Sequence, residues 1–371
     1  MLYLDNAATT ELNKEVLEDM LQALSSYGNS EAKFYAPAEE AKKLIAVARQ
    51  KVASIINAND SEIIFTSGAT EANNLVLKGT CLSNIQKRQK IIISAIEHSS
   101  IYDTCMYLQE LGVDVAVIPV DIEGKIDLDI LDKEINDYTK LVSIIYVNNE
   151  IGTIQDLQAI DEICMRHNVP LHLDATQAIG KVKLDFKKYQ SLTYLTFSSH
   201  KIYGPKGIGC LVCKEDDNGL KPKLTPILHG GEQEFGLRAG TLPTALIVGF
   251  GKACEITQRD FEKNQNKLIK YEKIVIEKLK SKFGSKFILN NDFADRVPGL
   301  INVRFIGYNN LVLLKAISAE IAASTGSACA VAQPSRILKN FGLSDEEISQ
   351  SIRISISAYC DEDDFSKLDL L

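Results

Sequence analysis

Lys201 follows Ser198, Ser199 and His200 at the end of a short apolar and aromatic stretch, residues 194–197, that reads as a strand. A Gly/Pro-rich turn, residues 204–207 (GPKG), comes directly after it. An amine at the mouth of a strand, on a loop stiffened by Pro205, suits Schiff-base chemistry better than it suits a solvated charge. Most lysines are solvated, and a surface lysine at a turn is the competing reading of this run taken by itself. Other residues along the chain decide between the two.

Asp174 ends a second strand-like run, residues 170–174, and stands 27 residues before Lys201. A carboxylate beside a Schiff-base lysine fits pyridoxal phosphate (PLP), where an Asp pairs with the pyridinium nitrogen and keeps the ring an electron sink. A helix cap is the common alternative use of Asp. His98 closes a third strand and can stack on a ring and move protons, its ordinary pKa being about 6.5. Residues 62–66 lead into Ser67-Gly68-Ala69-Thr70-Glu71, a strand, a glycine turn and a helix start. Free backbone N–H groups and the helix dipole there favour a phosphate, and Thr70 adds a hydroxyl. The lysine and spacing of a Walker loop are absent. Cys329 lies in a small-residue run, 324–332, suited to a mobile thiol nucleophile, and Arg353 can hold a carboxylate through two hydrogen bonds.

These positions need a scaffold, and the apolar periodicity supplies one. Helices are expected at 14–27, 38–56, 101–111, 128–136 and 158–167. Strands are expected at 62–66, 90–95, 113–119, 141–147, 170–174 and 194–197, and an apolar run follows at 207–214. Strand–helix alternation of this kind predicts an α/β fold with a mostly parallel sheet covered on both faces. In such sheets a ligand sits outside the carboxyl ends of the strands. His98, Asn149, Asp174, Gln177, His200 and Lys201 all fall at expected strand ends. A Gly-rich loop, 229–241, precedes one long helix at 244–283, and strands at 287–289, 301–305, 321–323 and 350–357 form a smaller α+β domain. The expected division is a large domain, 13–247, and a small one built from 1–12 and 248–371 that carries the cysteine loop.

The 371 residues suffice for about two domains. A net charge of −8 argues against a general nucleic-acid-binding surface. No apolar run reaches the roughly 20 residues that span a bilayer, and the start of the chain lacks a signal-peptide pattern, so the expected compartment is the cytoplasm. Eight scattered cysteines are then expected as thiols. Cys210 and Cys213 form a CxxC, but they lie in an apolar strand with no second Cys/His pair, so core packing is expected and no metal.

The residues at 3–10 (YLDNAATT), 66–71 (TSGATE), 97–98 (EH), 147–152 (VNNEIG), 174–177 (DATQ), 198–201 (SSHK), 238–243 (RAGTLP), 327–329 (SAC) and 351–353 (SIR) span almost the whole chain. In that order they resemble the cysteine desulfurases of the NifS/IscS type, fold-type I PLP enzymes. The resemblance implies a large domain with a seven-stranded sheet and PLP bound to Lys201. It implies that Asp174 and Gln177 hold the ring nitrogen and phenolic oxygen. Ala69, Thr70, Ser198 and His200 hold the phosphate, helped by Thr241 from the other subunit of a homodimer. Asn149 and Arg353 face the substrate carboxylate. Lys201 moves the Cα proton of L-cysteine, and Cys329 takes the sulfur as a persulfide for an acceptor protein, releasing alanine. Neither direct nucleic-acid contact nor a membrane is implied. Residues 30–35 (SEAKFY) depart from the family pattern, and the end at Leu371 also resembles desulfurases serving DNA phosphorothioation, which leaves the acceptor open among iron–sulfur clusters, tRNA thiolation and DNA phosphorothioation. Selenocysteine lyase and aminotransferase chemistry are the enzymatic alternatives, and an inactive interaction module is the non-enzymatic one. The thiol at 329 argues against transamination, which needs none, and Lys201, Asp174, His98 and Cys329 together argue against an inactive protein.

Overall fold

The computed structural model describes residues 1–82, 87–326 and 334–370. In chain order the elements are β1 (Leu2–Tyr3), α1 (Lys14–Leu24), α2 (Ala36–Ser54), β2 (Ile63–Thr66), α3 (Ala69–Cys81), β3 (Lys90–Ser94), α4 (Ser99–Glu110), β4 (Asp114–Ile118), α5 (Leu128–Glu134), β5 (Thr139–Ile145), α6 (Leu157–Arg166), β6 (Leu171–Asp174), β7 (Leu192–Ser198) and β8 (Gly209–Cys213). There follow α7 (Thr244–Arg259), α8 (Phe261–Phe283), β9 (Phe287–Leu289), β10 (Leu300–Phe305), α9 (Asn310–Ile317), β11 (Ile321–Ala322), α10 (Arg336–Asn340), α11 (Asp345–Ser349) and β12 (Ser351–Ser355). No helix among the described residues is long and apolar enough to cross a membrane.

Seven strands form one sheet in the order β2-β8-β7-β6-β5-β3-β4. Every pairing is parallel except the two made by β8. The apolar runs are continuous because both faces are covered. Successive side chains therefore enter different cores. Ile92, Phe197, Cys210 and Val212 join one core with Val16 of α1, Val52 of α2, Ile160 of α6 and Phe250 of α7. Ile91, Ile93, Leu211 and Cys213 join the other, under Leu75 and Val76 of α3 and Ile101 and Leu108 of α4. Cys210 and Cys213 are thus strand residues packed in opposite cores, and both are free thiols.

A second sheet, β12-β10-β9, is antiparallel. It packs on Leu268, Tyr271, Val275 and Leu279 of α8, with Leu2 and Leu4 completing the same core. The single helix expected over 244–283 is two: Asp260 (φ −99°, ψ 9°) interrupts it. The break lets α7 follow the large sheet and α8 the small one. Gly251 makes the first packing close, since a Cβ there would stand 2.7 Å from the Cα of Ala48 in α2.

Candidate active site

Because β2, β3, β5, β6 and β7 run parallel, their carboxyl ends open on the same edge, and a cavity of 460 Å³ lies there. That volume falls within the usual range for a small-molecule site, about 300–1,000 Å³. Ten of the twelve residues singled out above line it: Ala69, Thr70, His98, Asn149, Asp174, Gln177, Ser198, His200, Lys201 and Arg353. Thr241 is exposed on the loop before α7 and does not line this chain's cavity. Cys329 lies outside the described residues.

Lys201 sits at the end of a single 3-10 turn, Ser199–Lys201, that follows β7. Its Nζ donates to the carbonyls of Ala7 and Ala8 at 2.6 and 2.7 Å, so the segment after β1 forms one wall of the site. Tyr203, two residues on, has a left-handed backbone (φ 64°), which costs a non-glycine residue about 1 kcal/mol or more. Thr10 Oγ1 accepts its N–H at 2.8 Å, its hydroxyl meets Ser357 Oγ at 2.9 Å, and its ring stands edge-on to Tyr359. These contacts hold the turn that aims Lys201.

The α3 N-terminus has no side-chain cap from Gly68, and Ala69 and Thr70 face the cavity. Gly209 brings that turn close to the sheet: a Cβ on it would stand 2.8 Å from Gly68 Cα. Glu71 is tied by Arg238 Nε at 2.9 Å, which fixes the helix start to the loop of residues 238–243. His200 meets Thr9 Oγ1 at 3.1 Å. Burial, with Lys201 and Lys206 nearby, pushes its pKa down to about 4 and keeps it neutral.

Asp174, 2% exposed, accepts from Thr176 N at 2.9 Å and from Asn73 Nδ2 at 3.0 Å. Gln177 donates to Ala7 O at 2.7 Å and accepts from Lys181 Nζ at 2.9 Å. Desolvation, then Lys201 and Arg353, push the Lys181 amine down to about 7. Arg353, 1% exposed, donates to Asn149 O at 2.9 Å and pairs with Asp5 at 2.8 Å. Among the described residues its Nε, Asn149 Oδ1 and Thr176 Oγ1 have no hydrogen-bond partner, and all three residues line the cavity. Buried polar atoms are rarely left so. The donor set matches PLP with an amino acid: an amine, a buried carboxylate, an open helix N-terminus and a guanidinium with a spare N–H.

His98 caps α4, and burial pushes its pKa below the ordinary value; Asp174 opposes the fall and Lys201 adds to it. Beneath it Glu97 is fully buried and accepts from Ser94 Oγ and Ile145 N. Burial pushes this carboxyl up to about 8. An unfolded Glu titrates near 4.3. Between about pH 4.3 and 8 the folded chain therefore binds more protons than the unfolded one, and stability falls as pH rises through that window. Glu97→Gln is expected to flatten this slope. Melting temperatures from about pH 5 to 8.5 check it, and an equal slope in both proteins would contradict it.

Sequence reasoning passed over Ser100, which lines the cavity beside His98, and Asn73 and Lys181, which hold Asp174 and Gln177 from behind. Asn73 and Ser100 follow the quoted TSGATE and EH runs by two residues, a signal of place but not of role.

The chain belongs to the aminotransferase class-V family, whose pattern it matches over residues 2–368. It is 39% identical over 366 residues to the cysteine desulfurase IscS of Buchnera aphidicola, covering 97% of this chain and 89% of that one. Among solved structures, a NifS-like protein superposes with a TM-score of 0.91 at 31% identity, covering 100% of this chain and 97% of the other. The structure of SspA in complex with cysteine gives a TM-score of 0.84 at 34% identity, with 97% and 100% covered.

Proposed function

We propose that the chain is a PLP-dependent cysteine desulfurase that moves the sulfur of L-cysteine onto Cys329, releases L-alanine and passes the sulfur to an acceptor. One observation carries this reading. Lys201, Asp174, His98 and Arg353 meet on one cavity, and Arg353 is also paired through its backbone with Ser324, on the chain that leads to Cys329. Ser324 exchanges backbone hydrogen bonds with Arg353, the Cβ position of Gly326 lies 3.0 Å from Glu150, and Ser335 donates to Glu150 at 2.6 Å. The relatives named cysteine desulfurase, and SspA with its bound cysteine, support the same substrate.

In this reading Asp174 would hold the PLP ring nitrogen and Gln177 the phenolic oxygen. Ala69, Thr70, Ser198 and His200 would hold the phosphate, with Thr241 of the partner subunit. Bound there, PLP supplies an electron sink for the pair left when the substrate Cα loses its proton. Lys201 takes that proton. Arg353, aided by Asn149, holds the substrate carboxylate and so fixes which bonds face Lys201 and the thiol. The Cys329 thiolate attacks the substrate sulfur; an S–S bond forms and the C–S bond breaks with its electrons left on carbon. One proton completes the methyl group and another, returned to Cα by Lys201, completes alanine.

The described cysteines support this choice of thiol. Burial pushes the thiols of Cys105, Cys164, Cys210, Cys213 and Cys254 upward, and that of Cys81 to about 12. Such thiols are inert as nucleophiles. A homodimer fits the surface: Leu17, Leu21 and Leu24 form an exposed apolar stripe on α1, continued by Tyr27 and Phe34. We set the boundary between the two domains at Asp260, where the packed cores change, and place the protein in the cytoplasm, which would keep its thiols reduced.

The protein with PLP, L-cysteine and a dithiol should yield alanine and sulfide in equal amounts. Amino transfer to a keto acid without sulfide, or turnover of selenocysteine alone, would overturn the reading. Arg353→Gln is expected to raise KM for L-cysteine about 10- to 100-fold, the range for a lost charge-assisted hydrogen bond, with a smaller change in kcat. Initial rates against L-cysteine concentration test this, and an unchanged KM would remove Arg353 from the substrate site.

A further inference from the structure

From the cavity wall at Ser100 into the core runs a chain of hydrogen-bonded side chains, and the desulfurase reading assigns no role to its middle members. Asn73, on α3, is completely buried and spends every polar group of its amide. Nδ2 donates to Asp174 Oδ2 at 3.0 Å and to Ser100 Oγ at 2.9 Å, while Oδ1 accepts from Thr196 Oγ1 at 2.6 Å. An amide nitrogen can only donate and a carboxylate oxygen accepts, so the amide is oriented without ambiguity. Ser100 Oγ accepts from Asn73, which leaves its one hydrogen for His98 Nδ1, 2.9 Å away. The Ser100 backbone N–H also points at His98 Nδ1, at 3.1 Å.

We propose that Asn73 and Ser100 are positioning residues that carry a fixed order of hydrogen bonds from Asp174 to His98, holding the imidazole neutral with its proton on Nε2. The inference rests on the active site described above and adds two residues to it. Facing two donors, Nδ1 cannot carry a hydrogen; the ring proton must sit on Nε2, and His98 presents an N–H to the cavity. The charges around the ring agree. Asp174 and Asp103 favour a cation, Lys201 and Arg336 oppose it, and burial outweighs all four, so the pKa falls below its ordinary value. His98 is also the N-cap of the 12-residue α4, where the helix dipole opposes positive charge. The far side of Asn73 follows the same order. Thr196 donates to Asn73, His172 Nε2 approaches Thr196 Oγ1 at 3.4 Å, and Ser143 Oγ meets His172 Nδ1 at 2.8 Å. His172, fully buried, is held neutral with a pKa of about 4.

The tautomer can be read directly. In PLP-loaded enzyme labelled with nitrogen-15 in its five histidines, the His98 ring signals, assigned through His98→Gln, should show a hydrogen on Nε2 and none on Nδ1 at neutral pH. Ser100→Ala removes one donor to the neutral ring. It should raise the His98 pKa by about half to one unit, the worth of one net hydrogen bond, and move the acid limb of the kcat profile the same way. Ser100→Thr, which keeps the hydroxyl, should restore both. Ser100 is partly exposed on the first turn of α4, so this variant carries the test whether or not Asn73→Ala folds. A proton on Nδ1, a cationic His98 at neutral pH, or unchanged ring signals in Ser100→Ala would overturn the proposal. Failure of the desulfurase reading shows differently, as a wild-type protein that releases no sulfide while its ring signals remain legible.

Discussion

Lys201→Ala should cut sulfide release by about 10³-fold or more, the loss expected when a positioned acid–base group and covalent anchor is removed. The geometry explains why no neighbour substitutes. Lys181 is half-buried beside Gln177 and its Nζ is spent on Gln177 Oε1 and O, at 2.9 and 3.1 Å, while Lys206, which also lines the cavity, is exposed. The Ala variant also takes the Lys201 donor from the Ala8 carbonyl, while Ala7 O keeps its bond from Gln177, so some loss of stability is expected. Lys201→Arg keeps a cation for these carbonyls and separates the two effects: it should melt near wild type and still be inactive. Borohydride should fix PLP to wild-type protein at Lys201 and to neither variant. Activity of either variant within tenfold of wild type would remove Lys201 from the chemistry.

Cys329→Ser should lower sulfide release by about 10²-fold or more while borohydride still fixes PLP at Lys201. A serine hydroxyl cannot take sulfur from cysteine, and the described thiols are too deeply buried or too high in pKa to replace it. The exchange is isosteric, one oxygen for one sulfur, so it removes the reacting atom with little change in side-chain size. Retention of wild-type sulfide release by Cys329→Ser would show that sulfur leaves by another route.

Much of this was legible in the sequence, for a physical reason. In a parallel sheet the residues that end the strands are neighbours by construction, so His98, Asn149, Asp174 and Lys201 could be grouped before any coordinates. The open helix start at Ala69–Thr70 was readable from a strand followed by Ser-Gly for the same reason. Asn73 and Ser100 were not, because a helix residue's inward neighbours depend on how α3 and α4 lie on the sheet, which no local pattern states. The carbonyls of Ala7 and Ala8 were hidden because their contact with Lys201 closes a span of about 190 residues. The short helices α9, α10 and α11, of 8, 5 and 5 residues, are too brief for periodicity to reveal. All three start at a serine or asparagine whose side-chain oxygen accepts from an N–H of the first turn, a local signal that a short helix shares with many turns. The break at Asp260 escaped because apolar spacing continues across it while the partner sheet changes.

The most direct test of the central claim is a single turnover. Enzyme carrying PLP is mixed with less than one equivalent of L-cysteine, without reductant, and the peptides are weighed. The account predicts one alanine released for each sulfur atom gained, with that sulfur on the peptide holding Cys329. Alanine without added sulfur, or sulfur on a peptide holding a different cysteine, would contradict it.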